Sequence, residues 1–483
     1  MKDHHPRRAA IGTIAAVSVV AAAQAAWAQP IEILPDDGGP ESRFGYAVAM
    51  DDQRMLVGRL NDSSAGMFAG SAYVFRREGD QWVQEAKLLD PVPVLTGHVG
   101  TSVSIAGDVA VVGARDEAQT NLIGAALVFR RSGTSWAHEI TLRPPDVASP
   151  SDGFGYYAFG HAVATDGDRI VVAMPQDDIA CPEDPLCNSG SAYVFRYDEG
   201  WVMEQKLIPS DPQRLAHFGR AVAMSGDRIV VGAMQADSTA GAVYVFRLQE
   251  GTWVEEAKLL NPDAEASVVT QFGEAVAIDG DLIAVGAPGE NHVGSYAGAV
   301  YVYRLGAGGW TLEEKLVAED AEQLQFLGQS VAVSGGRVLA GAPWDNRSGT
   351  MFRAGAAYLF EHGPSGWTQR EKLTDPNGQN EDYLGWTVAC RGDTAMVGAQ
   401  LANRPDLDCG VVLAFALGGT ACPADWDGSG SITSSDISAF LTAWLGSIQN
   451  GDLVADFNGD ATVNSSDISA FLTAWLQAVQ GGC

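Results

Sequence analysis

The sequence predicts an all-β, seven-bladed β-propeller followed by a small α domain. Three observations carry this. Residues Phe218–Asp263 read FGRAVAMSGDRIVVGAMQADSTAGAVYVFRLQEGTWVEEAKLLNPD, four short segments of alternating apolar and small residues, each bounded by Gly, Asp, Asn or Ser. That is the pattern of strands joined by tight turns, not of helices. The same unit recurs with its opening glycine at Gly45, Gly100, Gly160, Gly219, Gly273, Gly328 and Gly385, every 54–60 residues. Four strands at so long a period imply radial repetition about an axis. The third observation is a change of character near residue 420. There the string SSDISAFLTAWL occurs at Ser434–Leu445 and again, letter for letter, at Ser465–Leu476.

In chain order, residues 1–28 read as a signal peptide. Lys2, Arg7 and Arg8 precede the small apolar run Ala9–Ala25, and Ala26-Trp27-Ala28 has the small-x-small form of a cleavage site. A membrane anchor is the competing reading, but the run is alanine-rich and only just long enough to span. The formal charge of −30 disfavours nucleic acid and suits a protein that holds divalent cations or stays soluble in salt. Six cysteines in an exported chain point to disulfides.

The propeller is expected over residues 29–417. Complete repeats end in strands such as KLLDP (Lys87–Pro91) or KLLNPD (Lys258–Asp263), whereas the seventh stops after its third strand, Gly410–Phe415. The segment IEILPD (Ile31–Asp36), within residues 29–43, offers the missing strand and would close the ring without an open edge. Trp82, Trp136, Trp201, Trp253, Trp310 and Trp367 open the fourth strand in six repeats and are expected to pack between blades. Glutamates three residues on (Glu85, Glu139, Glu204, Glu256, Glu313) are expected to pair with the arginines ending strand three (Arg76, Arg130, Arg196, Arg247, Arg304), each pair contributing less than ~1 kcal/mol. The first strands, Gly-x-Ala-Val-Ala, are small because they converge on the axis.

Phe218-Gly219 and Phe272-Gly273 open strand one, while Gly286-Ala287-Pro288 and Gly341-Ala342-Pro343 close strand two. These motifs resemble the FG-GAP repeats of the integrin α-subunit propeller and its bacterial relatives over roughly residues 30–416. The resemblance implies a fold and leaves function open. Many members of that family carry a D-x-D/N-x-D-G calcium loop within a blade. Here the turns shrink to Asp-Gly-Asp (Asp166–Asp168, Asp279–Asp281) or Ser-Gly-Asp, too short to surround a calcium ion, so none is expected in the propeller.

Loops between strands two and three, and between blades, vary in length and should share one face. Phe68, Tyr157, Tyr296, Trp344 and Phe352 on that face are candidate contacts for a sugar ring or a protein. Arg391-Gly392-Asp393 spells an integrin-binding tripeptide but occupies a tight turn where Gly-Asp recurs, so it reads as structural. Cys181 and Cys187 bracket one loop and suggest a local disulfide. Cys390 and Cys409 could pair, although strand directions place them toward opposite ends of their blade. No nucleophile elbow, zincin helix or phosphate-cradling loop occurs.

Beyond a linker at 418–421, each copy of the duplicated string follows a calcium-loop pattern. Asp425, Asp427, Ser429 and Asp436 fall at loop positions 1, 3, 5 and 12; Asp456, Asn458, Asp460 and Asp467 repeat them. With the carbonyls of Ser431 and Thr462 at position 7, these oxygens would converge on two calcium ions. Ala461 replaces the usual glycine in the second loop. A helix follows each loop and none precedes it. That arrangement resembles dockerin modules, in the variety opening with Cys422 and ending in Gly482-Cys483. The resemblance implies a domain over 422–483, a Cys422–Cys483 bridge, and a cohesin-like protein or cell-surface scaffold as partner. It also implies contact with that partner through Ser434, Ser435, Ser465 and Ser466 at loop positions 10 and 11.

The sequence therefore reads as a secreted, non-catalytic display protein. Its propeller would recognise a protein or glycan, and its C-terminal module would anchor it. A propeller lyase or glycoside hydrolase carrying a dockerin is the alternative, and a structural spacer a third.

Overall fold

The computed structural model describes residues 29–417, except 80, 94, 116–122, 147–156, 180–186, 238–239, 264–268, 348–350, 364–365 and 405, together with 434–450 and 462–481. Seven four-stranded antiparallel sheets follow one another along the chain. In the fourth blade, strands Phe218–Ser225, Arg228–Ala233, Ala242–Gln249 and Thr252–Leu260 pair in sequence order. The seventh sheet departs from this order. Its fourth strand is Ile31–Ile33, antiparallel to Val411–Ala416 with Glu32 opposite Leu413. The expected closure is present, and Ile33 is buried among side chains of the first and last blades.

Why the repeat needs its glycines is visible between blades. A Cβ on Gly58, in strand two of blade one, would lie 2.1 Å from the carbonyl oxygen of Gly100, which opens blade two with φ of +96°. Equivalent glycine pairs, Gly232 with Gly273 and Gly398 with Gly45, join later blades and close the ring. Backbone meets backbone there, so neither residue can carry a side chain. The phenylalanine before the opening glycine packs edge-on against the strand-three tyrosine of its own blade, as Phe218 does on Tyr244 with ring centres 5.5 Å apart.

The tryptophans pack between blades as expected. They also hydrogen-bond there: Trp201 Nε1 donates to Glu139, Trp253 to Glu204 and Trp310 to Glu256 of the preceding blade, each at 3.0 Å. Four of the five expected arginine pairs lie within ion-pair distance, Arg196–Glu204 at 3.6 Å and Arg247–Glu256 at 3.9 Å among them. Arg130–Glu139 and Arg304–Glu313 form as anticipated, at 2.9 and 3.0 Å. In three other blades an arginine opening strand two is closer. Arg54 takes Glu85 at 2.8 Å, Arg169 takes Glu204 and Arg228 takes Glu256, both at 2.9 Å. Arg76 turns to Glu78 instead. Strand two is more interior than the end of strand three, so its guanidinium meets the carboxylate with less competing water.

A second repeated network binds the loop face. Lys87, Lys206, Lys258, Lys315 and Lys372 each bridge two carboxylates, one from the preceding inter-blade link and one from the loop between strands two and three. A strand-three tyrosine donates to the first of these, as Tyr244 does to Asp211 at 2.8 Å. Burial would raise Asp37, Asp146, Asp211 and Asp320, but the lysine and tyrosine hydrogen bonds outweigh it and hold them below the usual carboxylate range. Blade seven reverses the polarity. Glu32 stands at the lysine's register position, and Arg404 from the loop meets it at 2.9 Å and Asp375 at 2.6 Å.

Cys390 and Cys409 are free thiols, both buried. Cys390 lies beside the turn at Arg391–Thr394 while Cys409 precedes the strand at the other end of the blade, so the strand length separates them. Cys187 is disulfide-bonded; Cys181 lies outside the described residues. In the Arg391-Gly392-Asp393 turn, Arg391 pairs with Asp52 at 2.7 Å and Arg77 with Asp393 at 3.2 Å. Both partners belong to blade one, so this tripeptide stitches the ring shut.

The C-terminal element contributes two helices, α1 (Ser434–Asn450) and α2 (Ser465–Gly481). Phe440 and Phe471, equivalent residues of the duplication, stack face to face with centres 4.2 Å apart and are fully buried. Trp444 Nε1 donates to the carbonyl of Asn464 at 2.9 Å. Asp436 and Asp467 are completely buried in the first helical turns. Asp425, Asp427, Ser429, Ser431, Asp456, Asn458, Asp460, Ala461, Cys422, Cys483 and the leader 1–28 lie outside the described residues. No described helix is long and apolar enough to cross a membrane.

Candidate binding site at the propeller axis

The glycine that opens each repeat, at or just before strand one, is followed by a residue that lines the axial cavity. In chain order these residues are Tyr46, Thr101, His161, Arg220, Glu274, Gln329 and Trp386. All seven line one cavity of about 450 Å³, joined by Ser102, Arg115 and the small residues that follow. The fold supplies the convergence: seven inner strands with the same register deliver seven equivalent positions to one point. The small residues after them keep the space open.

The ring is chemically lopsided. Tyr46 and Trp386 from adjacent blades form an aromatic wall, ring centres 5.9 Å apart. Opposite, Arg220 donates through Nε to Glu274 at 2.9 Å and through its second terminal nitrogen to the other carboxylate oxygen. Gln329 donates to the same carboxylate at 3.1 Å, so Glu274 accepts three hydrogen bonds within the ring. The remaining Arg220 terminal nitrogen lies 2.6 Å from His161 Nε2. Burial, then the guanidinium groups of Arg220 and Arg115, push the His161 imidazole well below its ordinary value. A neutral ring accepting at Nε2 carries its proton on Nδ1, where it can only donate.

The aromatic wall continues outward. Trp386 touches Trp344 (5.9 Å), Trp344 touches Phe326 (4.5 Å), and Phe326 stacks on Tyr296 (5.1 Å, planes 18° apart). Tyr383 meets Trp344 edge-on at 5.7 Å. Tyr296, 39% exposed, is the outer end of this run.

Of the five aromatics expected on the loop face, the structure brings together Tyr296 and Trp344, through Phe326. The other three go elsewhere. Tyr157 packs against the core of blades two and three. Phe68 lines a separate rim cavity with Asp37, Arg59 and Asn61. Phe352 is exposed with Arg353 stacked over it at 4.5 Å. Sequence reasoning missed the axial ring. The signal was the one position in Gly-x-Ala-Val-Ala that is large, polar or aromatic and never repeats.

Among the described residues, no cluster of three or more His, Cys, Asp or Glu is arranged to hold a metal. The Asp166 turn shows how its carboxylate is used: Oδ1 accepts from the backbone of Asp168 and Arg169 at 3.0 and 2.7 Å.

The FG-GAP repeat matches seven segments of the chain, residues 27–75, 82–129, 146–195, 201–246, 253–303, 310–360 and 367–415. No curated protein matches it. Among solved structures, Sqt1 from Chaetomium thermophilum is 15% identical, with a TM-score of 0.46 over 80% of this chain and 86% of that one. The hydrazine synthase of Kuenenia stuttgartiensis is 12% identical, with a TM-score of 0.48 over 80% of this chain and 98% of that one.

Proposed function

Since the chain belongs to the FG-GAP repeat family, whose propeller serves many functions, we propose from its own residues that it is a secreted, non-catalytic recognition protein. The propeller binds a ligand at its axial pocket, and the C-terminal module anchors it. The observation that carries the recognition reading is the ring of seven unlike side chains at one repeated position. A purely structural ring would favour one packing solution repeated from blade to blade, as at the tryptophan that opens the fourth strand in six of the seven blades.

Binding is favoured over catalysis by the state of the polar groups. Glu274 is the single carboxylate among the described lining residues and accepts three hydrogen bonds; the lone pair of His161 faces Arg220. Neither is presented as a base. A lyase or glycoside hydrolase remains the alternative, and turnover on a polysaccharide panel would establish it.

Anchoring through a dockerin-like module draws support from the duplicated helices, their stacked Phe440 and Phe471, and buried Asp436 and Asp467. Buried carboxylates at the end of an acid-rich loop are the chemistry of a hard cation site. Calcium would supply the charge that holds each loop, and the serines at positions 434, 435, 465 and 466 would meet a cohesin-like partner. The test is capture from envelope extracts by the mature chain and by a chain ending at residue 417, each with calcium and with chelator. Calcium-dependent capture confined to the full chain supports anchoring. Equal capture by the truncated chain removes it.

A further inference from the structure

We propose that the leader is cut between Ala25 and Ala26, and that Trp27, thereby kept in the mature chain, docks between blades six and seven. This rests on the reading of the chain as secreted and is independent of the ligand.

Six of the seven inter-blade cores contain the tryptophan that opens a fourth strand: Trp82, Trp136, Trp201, Trp253, Trp310 and Trp367. Among the described residues, the core between blades six and seven has none. Phe415 lies in that core with 8% exposure, against 2–5% for Phe75, Phe129, Phe195, Phe246, Tyr303 and Phe360 at the same place in the other blades. The slot is otherwise built like its counterparts. The guanidinium carbons of Arg169 and Arg228 lie 6.0 Å from the ring centres of Trp253 and Trp310 in the next blade. Arg337 opens strand two of blade six at the same position.

Register points to one occupant. In five fourth strands the tryptophan stands five residues before the bridging lysine, as Trp253 precedes Lys258. Glu32 holds the lysine's register in blade seven, and five residues before it stands Trp27, outside the described residues. The residue three after each tryptophan is the extra residue of a β-bulge: Val245 faces Ala257 and Phe246 faces Glu255, which leaves Glu256 out of the ladder. Three residues after Trp27 comes Pro30. A proline has no N–H for a ladder and is tolerated at a bulge on an edge strand. The charges change with it. Arg228 and Arg247, which meet Glu256, are replaced in blade seven by Thr394 and Ala416. Five of the matched FG-GAP segments start at a blade tryptophan, residues 82, 201, 253, 310 and 367, and the first starts at residue 27.

A cut after Ala28 would discard this residue. Ala23-Gln24-Ala25 offers the same small-x-small form three residues earlier. Hydrolysis of the Ala25–Ala26 peptide bond by a signal peptidase consumes one water, leaves a carboxylate on Ala25 and frees the amino group of Ala26. That residue holds the register of Thr252, the first of its strand.

The test compares chains of residues 26–483 and 29–483 by thermal melt and by acrylamide quenching of tryptophan fluorescence. The longer chain is expected to melt about 3–6 °C higher, with its additional tryptophan shielded from acrylamide. Trp27→Ala in the longer chain should lose that gain and Trp27→Phe should keep most of it. Trp253→Ala calibrates a slot that is filled. In parallel, the full precursor is exported from a bacterial host and its N-terminus sequenced; Ala-Trp-Ala-Gln is expected.

Equal melts, or a gain that Trp27→Ala retains, overturn the docking of Trp27. A mature N-terminus at Gln29 overturns the cut, whatever the melts show. A precursor that stays whole in a host competent for export overturns the cut and the secreted reading together. A higher melt for residues 26–483 would still support the docking in that case.

Discussion

Reversing the charge of Glu32 should loosen the ring at its join, and reversing Arg404 as well should restore it. In five blades the fourth-strand position opposite the strand-three tyrosine carries lysine, bridging two carboxylates. In blade seven the same register position, opposite Leu413, carries Glu32, and the loop supplies Arg404. Arg404 is largely buried (11% side-chain exposure) and meets both Glu32 and Asp375; Glu32 is 35% exposed. Glu32→Lys removes one partner from a buried guanidinium and sets an ammonium beside it. Full burial of such a mismatch would cost about 3–5 kcal/mol; with Glu32 a third exposed, about 1–3 kcal/mol is expected. Pairing Glu32→Lys with Arg404→Asp rebuilds the arrangement of the other blades, the introduced lysine facing the introduced aspartate and Asp375. The assay is urea unfolding of the mature chain followed by tryptophan fluorescence, completed as a double-mutant cycle. The reasoning fails if Glu32→Lys unfolds at the wild-type midpoint, or if the double variant is no more stable than the single one.

Other perturbations test other parts of the ring. Asp382, almost fully buried in the link to blade seven, is pushed up by burial to about 6 against an ordinary 3.8. Its protonated form is favoured in the folded state, so stability should fall as pH rises from about 4 through 6, by at most about 3 kcal/mol. Asp382→Asn should remove that fall and raise the melting temperature at neutral pH; an unchanged profile would contradict the assignment. Gly398→Ala would place a Cβ 2.3 Å from the carbonyl oxygen of Gly45, and should destabilise the blade-seven to blade-one contact by several kcal/mol, more than a typical core substitution. A melting temperature within a degree or so of wild type would refute the close approach. Trp253→Phe deletes the bond to Glu204 and should cost about 1–2 kcal/mol in the same urea assay; no cost would make the indole nitrogen incidental. In native protein Cys390 and Cys409, both buried thiols, should resist alkylation and react on unfolding.

Blade count, blade boundaries and the borrowed strand were legible in the sequence because each is written as a repeated pattern. IEILPD aligns with the ends of the other fourth strands, and its alternation alone fixes which face Ile33 buries. The arginine partners were less legible. Two arginines per blade can reach one glutamate, and only depth in the sheet decides that Arg169 lies closer to Glu204 than Arg196 does. The aromatic face was half legible: exposed loop aromatics stand out, but Phe326 and Trp386, which connect Tyr296 and Trp344 to the axis, sit in what reads as scaffold. The axial ring was present at every strand-one glycine but hidden by averaging. A repeat draws attention to what recurs, and this site consists of the residues that do not.

The reversed polarity at Glu32 and Arg404 has a consequence for assembly order. Ile31–Ile33 leaves the ribosome among the earliest residues of the propeller, yet its neighbour Val411–Ala416 is made last. Until then the early strand is an unmatched edge, free to add to any blade whose outer side is still open. A lysine at position 32 would let it pass for the fourth strand of five other blades. A glutamate there is repelled by the carboxylates that the lysines bridge in those blades and is matched by Arg404 in the loop of blade seven. The join is keyed, so that the first and last parts of the chain find each other and nothing between them.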